Sequence, residues 1–212
     1  MKNLTFSALT LFTFAIFAFT PATDKGKEKD KGKTQINAVI SYKVDPKKSN
    51  IVWTGKKVTG EHQGTIAVSN GTLSAKDKTL TGGSFEFDVN SITVTDIKDQ
   101  AQNAKLVGHL KNDDFFAAAK YPKANFIITS ATPKGGNNYD IKGKLTIKGI
   151  TNEVAFPAIV TSDANNLTAK AKITVDRTKY DIKFHSANFF ENLGDKAIAD
   201  NFDLDVTLVS AK

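Results

Sequence analysis

The chain contains no cysteine among its 212 residues. This absence excludes disulfide bonds, thiol catalysis and cysteine-ligated metal sites, and it also excludes the lipidated N-terminal cysteine of a bacterial lipoprotein. Polar aromatic residues are scarce as well, since one Trp and four Tyr stand against 15 Phe. Because Phe carries apolar area without a hydrogen-bonding group, this composition indicates either a dense core or an apolar pocket.

Sequence patterns of catalysis and of metal binding are also missing. The three histidines, His62, His109 and His185, lie far apart without metal-site spacing, so we predict no metal and no cofactor. No glycine-rich loop joins a strand to a helix, and no GxSxG motif occurs. Asp113 and Asp114 are adjacent and do not face one another, and acidic residues at such a position more often cap a helix. We therefore predict no catalytic residue and a protein that is not an enzyme.

Residues 1–22 are predicted to be a secretory signal peptide. Lys2 is followed by an apolar run from Leu4 to Phe19, which is shorter than the roughly 20 residues that a membrane-spanning helix needs. We expect cleavage after Ala22, and an uncleaved N-terminal anchor is the alternative. The prediction is a periplasmic or secreted protein without stable membrane insertion after cleavage.

Residues 23–40 are predicted to form a charged, flexible linker. The stretch from Asp24 to Thr34 alternates charged residues with glycine and has no apolar side chain to bury. Part of the formal net charge of +7 lies in this tract. The net charge therefore does not indicate a basic binding face, and we predict no nucleic-acid partner.

Residues 41–212 are predicted to form one all-β domain. Short alternations of apolar and polar residues recur between turn residues, as in Phe85, Phe87 and Val89 opposite Ser84 and Glu86. Such strands leave no exposed edges when they close into an antiparallel β-barrel of about eight strands, which is the predicted fold. A two-sheet sandwich is the alternative. The candidate strands are Tyr42–Val44, Asn50–Thr59, Gly64–Ser74, Gly83–Thr93, Ala124–Ala131, Tyr139–Ile147, Asn152–Thr161, Leu167–Val175 and Asp200–Val209.

Two local features modify this pattern. Asn70-Gly71 could form a hairpin turn, but a β-bulge within one long strand is favoured because a hairpin would leave very short arms. Thr95–Lys120 is predicted to be an α-helical insertion that covers one end of the barrel. It has helix-forming residues from Ala101 to Leu110, and Asp113–Lys120 is predicted to be a second short helix that ends at Tyr121-Pro122.

An apolar ligand pocket is predicted from the aromatic residues taken together. A barrel of about eight strands either fills its interior or holds one small ligand. The pairs Phe115-Phe116 and Phe189-Phe190 lie outside regular strands, where a barrel wall cannot easily bury both members. The predicted ligand-binding residues are Trp53, Phe85, Phe87, Leu106, Leu110, Phe115, Phe116, Phe126, Phe184, Phe189 and Phe190.

A polar head group would need its own contacts at the mouth of such a pocket. His109, Lys111 and His185 are the predicted head-group contacts. Lys105 and Lys183 are two further lysines that could meet an anionic group, although scattered lysines more often keep a protein soluble.

Several segments resemble a known family when taken in order. They are HLKNDDFFAAAKYPKANF from His109 to Phe126, GKLTIKGITNEVAFP from Gly143 to Pro157, the opening YKVDPKKSNIVWTGKKVTGEHQGTI, and GGSFEFDVNSI. Together they resemble the YceI family, also described as polyisoprenoid-binding or lipid-binding-like, from about Ser41 to Val209. The segment between Tyr180 and Ala199 departs from many members.

The resemblance implies an extended, lipocalin-like antiparallel barrel with a short α-helical insertion. It also implies a periplasmic or secreted protein that holds a long apolar chain, such as an isoprenoid or fatty amide, and in which a homodimer is common. No catalytic residues are carried over from the family. The partner that it implies is a long-chain apolar small molecule.

Three functions remain open at this point. The first is a carrier of a polyisoprenoid or fatty-acyl ligand, with a role in isoprenoid transport, storage or stress response. The second is a barrel with a filled interior that serves as an interaction or stress module without ligand. The third is an enzyme acting on a lipid or isoprenoid, which would require His109, His185 and Asp114 to approach one another.

Overall fold

The computed structural model of the protein describes residues 38–163 and 165–212. The predicted signal peptide and nearly all of the predicted linker lie outside these residues. The first strand begins at Ile40, next to the predicted domain boundary at residue 41. Within the described ranges, no helix is long and apolar enough to cross a membrane.

Ten antiparallel strands form the sheet. They are β1 (Ile40–Val44), β2 (Asn50–Lys57), β3 (Gly60–Thr65), β4 (Ala67–Lys76), β5 (Thr79–Asp88), β6 (Lys123–Pro133), β7 (Asn138–Ile147), β8 (Ile150–Ser162), β9 (Asn166–Asp176) and β10 (Ile198–Ala211). The helix α1 spans Gln100–Lys111 between β5 and β6.

The sheet closes on itself as an eight-strand barrel. The strand order β1-β4-β5-β6-β7-β8-β9-β10 is completed by pairing of β1 with β10, in which Lys43 faces Ala211 and Val44 faces Ser210. Closure removes the exposed edges that an open sheet would present. The predicted antiparallel barrel of about eight strands is confirmed, and the sandwich alternative is not observed.

The hairpin of β2 and β3 extends the wall beside β10. The outer edge of β3 is covered by the chain that follows β5, because the Thr93 amide donates to the Thr65 carbonyl at 3.0 Å and the Thr95 amide to the Gln63 carbonyl at 2.9 Å. Gly64 allows this close approach, since a Cβ atom there would lie 1.8 Å from the Thr93 carbonyl oxygen. A glycine is therefore required where the two segments meet.

The predicted bulge near Asn70-Gly71 is confirmed. Strand β4 continues through both residues, and its register against β5 shifts between Val68 and Asn70, which leaves Ser69 as the extra residue. The Ser69 hydroxyl donates to the Glu86 carbonyl at 3.1 Å, so the bulged residue stays bonded to the neighbouring strand.

The first part of the helical insertion is confirmed, and the second part is wrong. Helix α1 begins after Asp99, whose carboxylate caps the helix by accepting from the Gln102 amide at 2.8 Å. The predicted second helix, Asp113–Lys120, is instead a series of turns. Ala117 adopts a left-handed backbone with φ of 47°, which interrupts any helix. These turns keep Phe115 buried against the core.

The two ends of the barrel differ. The end with the β4–β5, β6–β7 and β8–β9 turns is filled by buried side chains that include Tyr42, Leu73, Leu80 and Leu167. The opposite end carries the insertion between β5 and β6 and the segment between β9 and β10. Access to the barrel interior is therefore expected on the side of the insertion.

A candidate apolar binding cavity

A cavity of about 210 Å³ lies inside the barrel. Its lining follows from the period-two alternation of the strands, which sends every second side chain inward. On β7 the inward residues are Ile141, Leu145 and Ile147, and on β10 they include Leu204 and Val206. The wall that surrounds the free volume is therefore almost wholly apolar.

Seven of the predicted pocket residues border the cavity, namely Trp53, Phe85, Phe87, Leu110, Phe115, Phe116 and Phe126. The Phe85 and Phe126 rings stack with centroids 6.3 Å apart, and the Phe126 and Phe156 rings lie 5.6 Å apart. Gly143 on the neighbouring strand leaves room for Phe126, because a Cβ atom there would lie 2.3 Å from its ring. The sequence therefore fixes an aromatic cluster on one side of the cavity.

The other four predicted pocket residues lie elsewhere. Leu106 and Phe184 are half-buried and pack against the core without bordering the cavity. Phe189 and Phe190 are 50% and 48% exposed in the segment between β9 and β10. Any contact of these four side chains with a ligand stays a prediction.

Sequence reasoning missed a large part of the lining on β8, β9 and β10. The residues that it missed include Val154, Phe156, Ala171, Ile173 and Phe202. The signal that could have found them is the alternation of these strands, which places all five on the inward face. The prediction of the pocket relied on aromatic residues, which lie mainly on one side of the barrel. It overlooked smaller apolar residues on the other side.

The insertion closes much of one end of the cavity through aromatic contacts. Phe116 meets Phe202 of β10 edge to face, with ring centroids 6.5 Å apart, and Phe115 lies 5.5 Å from Phe184. The His109 ring packs between Phe115 and Phe184 at 4.9 and 4.7 Å. This cluster joins the insertion to the segment that follows β9.

The predicted head-group residues do not border the cavity in the part of the chain that the structure describes. These residues are His109, Lys111 and His185, and Lys105 and Lys183 are also absent from the lining. The structure does bring His109 to Asp114, with Nε2 and Oδ2 3.1 Å apart. Lys183 pairs with Asp181 at 2.7 Å instead.

Arg177 is a buried cation at the cavity, with only 4% of its surface exposed. Its guanidinium donates to the carbonyls of Ile182, Ala199 and Ile198 at 2.9, 3.0 and 3.0 Å. Its Nη2 lies 3.7 Å from the Asp200 carboxylate. Burial lowers the pKa of Arg177, and the nearby Asp200 charge opposes that shift. The guanidinium thus holds together the chain around the cavity end.

Few other polar groups reach the site. Lys170 and Asn201 border the cavity. Lys170 occupies an exposed, outward-facing position on β9. Tyr180, three residues after Arg177, is buried, and this burial raises the pKa of its phenol to about 12. No group of three or more metal-ligating side chains occurs within residues 38–163 and 165–212.

An apolar wall of this kind binds by excluding water. Burial of apolar surface contributes about 25 cal/mol per Å², and it needs no precisely directed polar partner. The arrangement can therefore hold an apolar molecule, and the Arg177 guanidinium at one end offers donors only.

Comparison with known proteins agrees with this architecture. A family model described as a YceI-like domain matches residues 42–210. The chain is 33% identical to Protein YceI of Escherichia coli over 95 residues, which is 45% of this chain and 47% of that protein. It is 32% identical to a UPF0312 protein of Shewanella denitrificans over 89 residues, 42% of this chain and 44% of that protein. These matches span slightly less than half of the length of either relative.

Two solved structures share the fold. BcnA of Burkholderia cenocepacia superposes with a TM-score of 0.63 at 24% identity, covering 78% of this chain and 98% of that one. A polyisoprenoid-binding domain from Saccharophagus degradans, implicated in plant cell wall breakdown, superposes with a TM-score of 0.59 at 15% identity, covering 80% and 97% of the two chains. With the family match over most of its length, the chain belongs to the YceI-like domain family.

Proposed function

We propose that this protein is an exported binding protein that holds a long apolar molecule, of the polyisoprenoid or fatty-acyl type, inside its barrel. The observation that carries the proposal is the cavity of about 210 Å³ with its almost wholly apolar wall. Membership of the YceI-like family and the polyisoprenoid-binding name of the Saccharophagus degradans domain support the ligand class. Transport or storage of such a molecule is the corresponding role.

The location of the protein is part of the proposal. The basic start and short apolar run of residues 1–22 are typical of a secretory signal peptide. A carrier in the periplasm or outside the cell would shield an apolar chain from water between membranes. The folded domain would act there as a free carrier, without stable insertion into a membrane.

The two other functions are weaker on specific grounds. A filled barrel would lack free interior volume, and the observed cavity argues against it. An enzyme acting on a lipid would need polar groups at the cavity. His109 and Asp114 do approach one another, but neither borders the cavity.

The single tryptophan gives a direct test. Trp53 borders the cavity, and its indole donates to the Thr93 carbonyl at 3.1 Å, so the ring is held in place. We expect its fluorescence to change, and to saturate at one equivalent, when the protein is titrated with a polyprenyl alcohol or a long-chain fatty acid. The change reflects replacement of water or free space beside the indole by an apolar chain.

The matched control is Trp53→Phe, which removes the signal but keeps an apolar ring at the wall. Its binding heat, measured by calorimetry, should persist while the fluorescence change is lost. If neither heat nor fluorescence responds to either class of compound, the proposed ligand class is wrong.

A further inference from the structure

The barrel wall has a lateral slot between β8 and β9. The two strands pair only where Ala158–Ser162 face Leu167–Ala171. Before Ala158, β8 remains paired with β7, and beyond Ala171, β9 remains paired with β10. The two facing edges are therefore unpaired between these points, and the chains meet again where the Asn152 side chain donates to the Lys179 carbonyl at 2.9 Å.

A proline explains where the slot begins. The Val160 amide donates toward β7, to the Asn137 carbonyl at 2.8 Å. Because successive residues of a strand direct their backbone groups to opposite sides, the backbone of Pro157 is directed toward β9. Pro157 has no N–H to donate. It immediately precedes Ala158, where the pairing of β8 with β9 begins. The ladder therefore ends where its donor is missing.

The cavity extends into this slot. Val154 and Phe156 on β8, and Ala171 and Ile173 on β9, all border the cavity and are only half-buried. Lys170 also borders the cavity although its position on β9 faces outward. At about 3.3 Å per residue, five unpaired residues give a slot roughly 16 Å long.

The outer rim of the slot combines apolar and cationic side chains. On β8, Ala155, Pro157 and Ile159 face outward and are exposed, with Ile159 51% exposed. Lys142 of β7 lies directly opposite Ala155, and Lys170 of β9 lies directly opposite Ile159. The exposed apolar strip is thus flanked by a lysine on each side.

Toward the ends of this rim, lysines lie close to acidic residues. Lys172 lies beyond Lys170 on β9 and is within 3.5 Å of Asp205. Glu153 of β8 faces Lys144 of β7 in the ladder. Lys142 and Lys170, by contrast, are not within ion-pair distance of any carboxylate among residues 38–163 and 165–212. Both lysines can therefore meet an anion from outside.

We propose that the slot between β8 and β9 is the port through which the apolar ligand passes directly between the cavity and an anionic membrane surface. The lysines meet lipid phosphates, and the apolar strip meets the boundary of the acyl chains. A chain leaving the bilayer then enters the cavity sideways without crossing water. This inference rests on the proposed function, because it describes the route to the same cavity.

The port is tested by bridging the slot chemically. The chain has no cysteine, so an Ala155→Cys/Thr174→Cys variant places two unique outward thiols on facing edges of the slot for a short bis-maleimide. We expect the bridged protein to take up a fluorescent long-chain fatty acid from phosphatidylcholine–phosphatidylglycerol vesicles at least about tenfold more slowly than the unbridged variant. The control is Thr161→Cys/Thr168→Cys, bridged in the same way across the paired part of the same strands.

The membrane partner is tested by charge reversal. Lys142→Glu/Lys170→Glu should slow uptake from these anionic vesicles by about tenfold or more, since each basic residue at an anionic surface contributes a severalfold factor. The slowing should be smaller with pure phosphatidylcholine vesicles, because their surface carries no net charge. The control Lys47→Glu/Lys76→Glu makes the same change in net charge at exposed positions in the β1–β2 turn and at the end of β4.

Three results separate the possibilities. Equal uptake rates for bridged and unbridged protein would overturn the port and direct the ligand to the end with the insertion. Equal effects of the two charge-reversal pairs would overturn docking on the lipid surface. Lack of binding to the same fatty acid in solution, by any variant and by the original protein, would instead contradict the proposed function.

Discussion

Replacement of Ala171 by Phe should weaken ligand binding by about 2 kcal/mol, or roughly thirtyfold in Kd. Ala171 lies on the inward face of β9 and borders the cavity, where it is only half-buried. A phenyl ring at this position would occupy volume that the ligand needs. Competition titration with a polyprenyl alcohol or a long-chain fatty acid measures the change.

The fold should tolerate this change, because the added ring enters existing free space. We expect the midpoint of thermal unfolding to stay unchanged or to rise, since the ring fills a cavity. The control is Thr161→Phe on β8, where the side chain faces outward and is exposed, so binding should not change. Unchanged affinity in Ala171→Phe would place the ligand outside the barrel.

Replacement of Arg177 by Ala should lower the free energy of unfolding by about 3 kcal/mol. The substitution removes three hydrogen bonds to main-chain carbonyls and leaves Asp200 without its buried cation. Two of those carbonyls belong to Ile198 and Ala199, where the register of β10 against β2 shifts. The guanidinium thus replaces hydrogen bonds that an uninterrupted ladder would supply.

Two further variants separate the causes of this loss. Arg177→Met keeps most of the side-chain volume, so it should lose nearly as much stability as Arg177→Ala if hydrogen bonding is the main contribution. Lys179→Ala, at an exposed position two residues along, should change stability by less than about 0.5 kcal/mol. Chemical denaturation measures all three. A loss below about 1 kcal/mol in Arg177→Ala would contradict the role assigned to this side chain.

The strands could be predicted because each has one buried face. Alternation in segments such as Phe202–Leu208 reports this face directly, and the bulge near Asn70 followed from the length of the strand. The second helix failed for a different reason. Its residues favour a helix locally, but the left-handed Ala117 divides the segment into turns that direct Phe115 and Phe116 to the barrel.

The size of the cavity and the part of its lining on β8, β9 and β10 could not be read from the sequence. Whether a barrel interior is filled depends on the sum of all inward side-chain volumes around the circuit. Here Ala158 faces Ala171 across β8 and β9, and Ala169 faces Val160. The three alanines border the cavity and leave space that larger residues would have filled. The aromatic residues that attracted attention in the sequence lie mainly on the opposite wall.

The buried position of Arg177 could not be predicted from the sequence. A lone arginine in a polar stretch ordinarily points to solvent, and only the fold places its guanidinium against three carbonyls. The predicted head-group residues His109, Lys111 and His185 were chosen for their chemistry near a mouth, and none of the three borders the cavity. Side-chain direction in turns is set by backbone angles such as the positive φ of His185, which the sequence pattern does not reveal.

Native mass spectrometry with organic extraction, on protein purified from its own host without detergent, tests the central claim most directly. The account predicts a stoichiometric apolar adduct of defined mass that the extract identifies as a polyisoprenoid or fatty-acyl compound. A protein of clean apo mass, which also stays free after incubation with polyprenyl and fatty-acyl compounds, would contradict the account.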